Sequence, residues 1–258
     1  MLLLIHAALI QRLGVFLVLF SAISSGDCYK PVFLVHGILS SNRSMEALAK
    51  RIEEKHPGTK TYVSDRFLKW SSLEPIWRQI SRVGEDFKNI SDSHPDGFHV
   101  IDSFLHLIFP NLVCATAYEL FYSKIGQTIS VGNYWNDPYH QKLFFKYSSF
   151  LPFLNNMIKS DFSDQFKEGI SKLKNMVLIG GPDDGVITPW QSSHFGYFNE
   201  DGAIINFKDR TVYINDTMGL QTLDSQNKLQ IITLSNVSHF NWHRNHTVTD
   251  DFILPWLD

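Results

Sequence analysis

"KPVFLVHG", Lys30–Gly37, is an apolar run with no alternation that ends on a turn residue. A strand exposed on one face would alternate apolar and polar side chains, so Val32 to Val35 reads as a strand buried on both faces. Downstream, Ser44 is placed to cap a helix through Met45, Leu48, Ala49 and Ile52, stopped by "HPG". "KTYVS", Lys60–Ser64, is a second strand. Leu73, Ile76, Trp77, Ile80, Val83, Phe87 and Ile90 then recur at helical steps, with Pro75 in the tolerated first turn. Phe98–Ile101 is the next strand. Late in the chain "NMVLIGG" and "LQIITL" are again short apolar runs with β-branched residues, and "TVYIN", Thr211–Asn215, reads as another strand. At the end Thr247 is a candidate cap for a helix facing inward through Phe252, Ile253 and Leu257. Strand and helix alternate at both ends, which predicts an α/β fold with a mostly parallel sheet. An aromatic, irregular excursion from Phe104 to Lys174 interrupts it.

The chain has 258 residues, 44% of them hydrophobic, enough for one sizeable core. A net charge of −3 gives no reason to expect a nucleic-acid partner. Residues 1–26 differ from the rest: Arg12 precedes an apolar run from Leu13 to Ile23, then Ser24, Ser25 and Gly26. That is the layout of a secretory signal peptide, leaving 27–258 as one domain with no stable membrane anchor. The rival reading, an N-terminal membrane anchor that includes the apolar Leu2–Ile10, is disfavoured because Gln11 and Arg12 interrupt the longer span. Five Asn-x-Ser/Thr triplets, at Asn42, Asn89, Asn215, Asn236 and Asn245, fit glycosylation in the secretory pathway. Cys28 and Cys114 alone could pair, so stability must come from packing.

Three strand ends hold groups with chemical potential, and open α/β sheets gather their sites at those ends. His36-Gly37-Ile38 follows the first strand, where a turn can leave backbone N–H groups free for an oxyanion. Asp184 follows Met176–Ile179, with Asp183 as its rival. His239 lies beyond Leu229–Leu234, in reach of Asp184 if those strands are neighbours. Taken singly, each reads as an ordinary turn or loop residue. Their order matches hydrolases in which serine, carboxylate and histidine follow one another along the chain, which predicts an α/β-hydrolase fold. A serine hydroxyl is a poor nucleophile until an imidazole takes its proton, and the carboxylate holds that imidazole in place. A metal site built from His239, His243, Asp183 and Asp184 is disfavoured, because "HFNWH" lacks the glutamate of His-Glu-x-x-His. No metal or organic cofactor is expected.

"YKPVFLVHGILSSNRSMEALAKRIEEKHPGT", "NYWNDPYH", "MVLIGGPDDGVITPWQSSHFGYF" and "SHFNWH" resemble the palmitoyl-protein thioesterase family, most closely its lysosomal branch 2. The likeness implies an α/β-hydrolase that cleaves long-chain fatty acyl thioesters, such as palmitoyl-CoA or S-acylated peptides, in the lysosome. It places the family's acid on Asp184, its base on His239 and its first oxyanion amide on Ile38.

The family's nucleophile has no counterpart. Its strand matching Phe98–Ile101 runs into a glycine-flanked serine elbow, then a helix and another strand. Here Ile101 is followed by "DSFLHLIFPNL", which resembles the family's segment beyond that unit, so the sheet is expected to be incomplete between about 101 and 102. The loss is one strand–turn–helix–strand unit, roughly 30 to 40 residues. Ser103 is an unfavourable substitute, because the elbow needs small residues two positions either side and Ser103 has Ile101 and Leu105. Two functional classes follow: a serine-type thioesterase whose nucleophile is absent from this chain, or an inactive acyl-binding or regulatory relative. Losing the unit is also expected to expose the edges of neighbouring strands.

Overall fold

The computed structural model describes residues 2–7, 29–103, 117–199 and 201–258. In chain order the elements are β1 (Leu2–Ala7), β2 (Val32–Val35), α1 (Asn42–Lys55), β3 (Thr61–Val63), α2 (Ile76–Ser93) and β4 (Phe98–Ser103). The excursion is helical, with α3 (Ala117–Phe121), α4 (Ser130–Tyr134), α5 (Gln141–Tyr147), α6 (Leu151–Leu154) and α7 (Ser163–Ser171). There follow β5 (Met176–Gly180), a small ribbon of β6 (Tyr197–Phe198) and β7 (Ile204–Ile205), α8 (Thr211–Ile214), α9 (Leu220–Ser225) and β8 (Leu229–Thr233).

The main sheet has the order β3-β2-β4-β1-β5-β8. β2 pairs in parallel with β3 and β4, and β5 with β8. β1 is antiparallel to both β4 and β5, so those two point the same way across it. The carboxyl ends of β2, β4, β5 and β8 therefore share one edge, where an open α/β sheet collects its functional groups.

Alternate side chains of the strands feed two cores, as the period of two requires. Val32, Leu34, Ile101, Val177 and Ile179 meet α1 through Met45, Leu48, Ala49 and Ile52, together with Trp242, Val248, Ile253 and Leu257 from the chain's end. On the opposite face Phe33, Phe98 and Val100 meet Ile90, Val83 and Phe87 of α2, while Met176 and Leu178 meet Leu220 and Leu223 of α9. Burying each such side chain contributes about 1.5–3 kcal/mol. The result is a sheet covered by helices on both sides, the α/β-hydrolase arrangement with mostly parallel strands.

Several local expectations differ from the structure. α1 starts at Asn42, and the Ser44 hydroxyl donates back to the Ser41 carbonyl instead of capping. Leu73 lies in a 3₁₀ turn before Pro75, which caps α2. Thr211–Ile214 is a helical turn, because burying Val212 against Phe207 and Leu220 overrides the β preference of a four-residue run. Thr247 makes no side-chain cap; its N–H is held by the Asn245 side chain, and a π-helical turn follows over Val248–Ile253.

The expectation of exposed edges meets a filled slot. Six residues of β1 pair with β4 and four with β5. They belong to the stretch read as a leader: the uncleaved chain uses it as an interior strand, and cleavage near Gly26 would take that strand away. Leu105, Cys28 and Cys114 lie outside the described residues, as does the side chain of Ser103.

Candidate active site

β5 ends in Gly180-Gly181, and both glycines are required by crowding. A Cβ on Gly181 would lie 1.8 Å from the Leu234 carbonyl oxygen, and one on Gly180 would lie 2.2 Å from Ser193 Oγ. Bare backbone here lets the loops after β5 and β8 come together. The Asp184 carbonyl then accepts from the His239 N–H at 2.8 Å, which fixes the spacing of the two side chains.

His239 Nδ1 lies 3.0 Å from both oxygens of the Asp184 carboxylate, and both residues are buried. A carboxylate only accepts, so Nδ1 carries the proton and Nε2 is left with its lone pair. Asp184 also receives the Val186 N–H at 3.0 Å, the Ile187 N–H at 2.8 Å and the Trp242 indole N–H at 2.6 Å. Burial alone would raise this carboxyl. The hydrogen bonds from His239, Ile187 and Trp242 outweigh it and hold the group well below the usual carboxylate range. Asp183, the rival, turns its carboxylate to the Asn236 N–H at 2.7 Å.

The turn after β2 is closed by the Ser40 N–H on the Gly37 carbonyl. The Leu39 N–H is taken by Ser72 Oγ at 2.6 Å, and Leu39 is left-handed with φ +55°. Among the described residues the Ile38 N–H makes no hydrogen bond. Phe240, 65% exposed, sets its ring edge-on to the His239 imidazole at 5.3 Å. The excursion covers this edge: Ile38 packs against the cluster of Ala117, Phe121 and Val131. Burial, and secondly the Asp102 carboxylate, push the Tyr134 phenol far above its ordinary range.

The structure thus joins Asp184 and His239 directly and puts Ile38 on the same edge of the sheet. Among the described residues no serine, threonine or cysteine side chain hydrogen-bonds the His239 ring. Ser103 is the last residue of β4. His239, His243, Asp183 and Asp184 do not converge as ligands: both His243 ring nitrogens lack a polar partner, and no group of three metal-binding side chains gathers among the described residues. Asn89, Asn215 and Asn236 are exposed, whereas the Asn42 and Asn245 side chains accept from neighbouring N–H groups. Sequence reasoning missed Trp242 and Ser72. Trp242 stands three residues after His239, the return of a short helical turn, which is a usable signal; a serine in "KWSSLEP" offers none.

A mostly parallel sheet covered on both faces, with a buried acid–imidazole pair at its carboxyl edge, defines an α/β hydrolase. The family model described as palmitoyl protein thioesterase matches residues 31–103 and 104–239, and the chain belongs to that family. It is similar to the lysosomal thioesterase PPT2 homolog of Drosophila melanogaster, 43% identical over 274 positions covering 92% of this chain and 95% of that protein. It is 34% identical to lysosomal thioesterase PPT2 of Homo sapiens over 266 positions, covering 89% and 88%. It is 25% identical to palmitoyl-protein thioesterase 3 of Dictyostelium discoideum over 285 positions, covering 92% and 95%. Ninety-two per cent of 258 residues is about 237, so about 37 of the 274 positions shared with the fly protein lack a residue here. The same comparison with the human protein leaves about 36 of 266. The family match breaks between Ser103 and Phe104.

Proposed function

We propose that this chain derives from a serine-type lysosomal thioesterase for long-chain fatty acyl thioesters, and that it holds such thioesters without turning them over. The observation that carries the reading is the Asp184–His239 pair with a free Ile38 N–H and no hydroxyl on His239 Nε2 among the described residues. The break after Ser103 falls where the family's nucleophile elbow belongs, and the positions missing against two relatives match one strand–turn–helix–strand unit.

With the elbow present, the chemistry follows from these residues. Serine Oγ attacks the thioester carbonyl carbon while His239 Nε2 takes its proton, and the oxygen's developing charge is met by the Ile38 N–H. The C–S bond breaks and His239 returns the proton to the departing sulfur. Water, deprotonated by the same nitrogen, then attacks the acyl-serine carbonyl carbon; the C–O bond to the serine breaks, His239 returns the proton to Oγ and the fatty acid leaves. Asp184 stabilises the imidazolium at both stages without being protonated. In the absence of the serine, His239 and Ile38 can still orient a thioester and a water, but covalent catalysis is lost.

The test is palmitoyl-CoA hydrolysis by the purified chain beside His239→Ala. Both are expected to be silent, and inserting the approximately 37-residue segment of the fly relative after Ser103 should create turnover that His239→Ala abolishes. Turnover by the parent lost in His239→Ala would sink the proposal; Ser103→Ala would then locate the surviving nucleophile. Saturable palmitoyl-CoA binding by the parent without hydrolysis is the positive signature expected, and it is shared by an acyl-binding relative that keeps the same intact pair.

Processing is part of the proposal. Residues 1–26 act as the leader, the mature chain resides in the lysosome, and glycans are carried first on exposed Asn89, Asn215 and Asn236. Among the described residues no helix is long and apolar enough to cross a membrane.

A further inference from the structure

We propose that Ser72 is the positioning residue of the oxyanion turn, holding the Ile38–Leu39 peptide in the orientation that decides which dipole lies beside the Ile38 N–H as that N–H meets a carbonyl oxygen. The inference rests on the acyl-thioester reading above. Leu39 is the awkward residue of that turn. In a turn closed by Ser40 N–H on the Gly37 carbonyl, Leu39 occupies the third position with φ +55°. That position favours glycine, because a side chain there crowds its own backbone. Left alone, the Ile38–Leu39 peptide would rotate by about half a turn to bring Leu39 into an ordinary conformation. The rotation exchanges the directions of the Ile38 carbonyl and the Leu39 N–H, placing a different dipole beside the Ile38 N–H.

One buried hydroxyl opposes that rotation. Ser72 Oγ donates to the Lys69 carbonyl at 2.5 Å, which orients its lone pairs, and accepts the Leu39 N–H at 2.6 Å. The two loops are pinned again by the Lys69 N–H on the Ser40 carbonyl at 2.6 Å. Lys69 is itself left-handed, with φ +54°. The Ser72 carbonyl in turn receives the Ser130 hydroxyl and the Gln79 side-chain amide, each at 2.8 Å. Ser130 opens α4 of the excursion and Gln79 belongs to α2, so Ser72 ties the turn to both. Ser72 touches no reacting atom; it acts through Leu39.

The test uses the full chain labelled with 15N-isoleucine, with the Ile38 amide resonance identified by its loss in Ile38→Val. Octanoate, whose carboxylate oxygen stands in for the acyl oxygen, is titrated while palmitoyl-CoA binding is followed in parallel samples. The parent should show a saturable shift of the Ile38 resonance. Ser72→Ala should weaken octanoate about tenfold or more, a loss in Kd that the titration reads directly. The double variant Ser72→Ala/Leu39→Gly should return to within about threefold of the parent, because glycine adopts the left-handed turn unaided. If Ser72→Ala does not fold, Ser72→Cys, similar in shape with a poor acceptor, should fall between parent and tenfold loss. An unweakened single variant, or a double variant as weak as Ser72→Ala, overturns the assignment. Palmitoyl-CoA binding with an unmoved Ile38 resonance overturns it while leaving the acyl reading intact. Absence of any acyl binding by the folded parent removes both.

Discussion

Asp184 is held by more donors than an orienting carboxylate needs for one imidazole, and Trp242 is the one that can be removed without touching the backbone. Trp242→Phe keeps most of the ring volume in the core but deletes the 2.6 Å bond to the carboxylate. A hydrogen bond to a charged group contributes about 1.5–3 kcal/mol, so urea unfolding should show a loss of that size. Trp242→Ala adds a cavity, and its cost should reach about 3–5 kcal/mol. A Trp242→Phe variant as stable as the parent would mean that the indole N–H does nothing for the carboxylate. At this scale the acid and base were readable because both follow short apolar strands, the acid a buried one and the base the edge strand β8, in an order that restricts their partners. Ser72 was not, because its importance comes from a contact 33 residues away in the chain.

Among the elements, β5 with its Gly180-Gly181 exit decides whether the acid loop can reach the imidazole. Gly181→Ala forces its new methyl against the Leu234 carbonyl. The predicted cost is about 2 kcal/mol or more, with loss of the low-field His239 Nδ1–H proton signal as the pair separates. Gly84 in α2 is the control: nothing lies within 4 Å of its Cβ position. Gly84→Ala should therefore stabilise by about 0.5–1 kcal/mol in the same urea assay. Buried strands were legible as unbroken runs of Val, Ile and Leu, and β4 departs from expectation only by continuing to Ser103. Short helical turns were not, since four residues carry no period; Thr211–Ile214 takes its conformation from what Val212 packs against. The strand role of residues 2–7 is likewise invisible in sequence, because a slot between β4 and β5 exists only once the sheet is built.

For the molecule as a whole, acid conditions work against the fold. Burial is the main cause that pushes both His194 and His243 down to about 4, and neither His243 nitrogen has a polar partner. Unfolded, both take up protons near 6.5, so the unfolded chain binds more protons between pH 6.5 and 4. Their contribution is complete above pH 6.5, declines as pH falls, and is gone below about 4, a loss approaching 3 kcal/mol for each. Asp184 acts in the same direction only at lower pH, since its stabilisation is present above 3.8 and fades beneath it. Urea midpoints measured from pH 7 to 4 should fall, and His243→Phe should remove about half of that slope. A flat profile in the parent would show that these imidazoles are not buried neutral.

Loss of the leader is the second test at this scale. A chain beginning at Asp27 lacks β1 and leaves the facing edges of β4 and β5 open. It should melt earlier than the 258-residue chain, bind a dye for exposed apolar surface and aggregate on concentration. Matching melts for the two lengths would show that β1 adds nothing to the sheet.

The direction of β1 has a practical consequence. Leu2 pairs with Ser103 and Ile179, at the same edge that carries Asp184 and His239. Asp258 instead joins Lys30, His99 and Lys174, at the starts of the strands. An affinity tag fused ahead of the uncleaved chain would be delivered to the mouth of the site and compete with any acyl ligand. A tag after Asp258 would hang from the far side of the sheet, so the end chosen for purification decides what a binding assay sees.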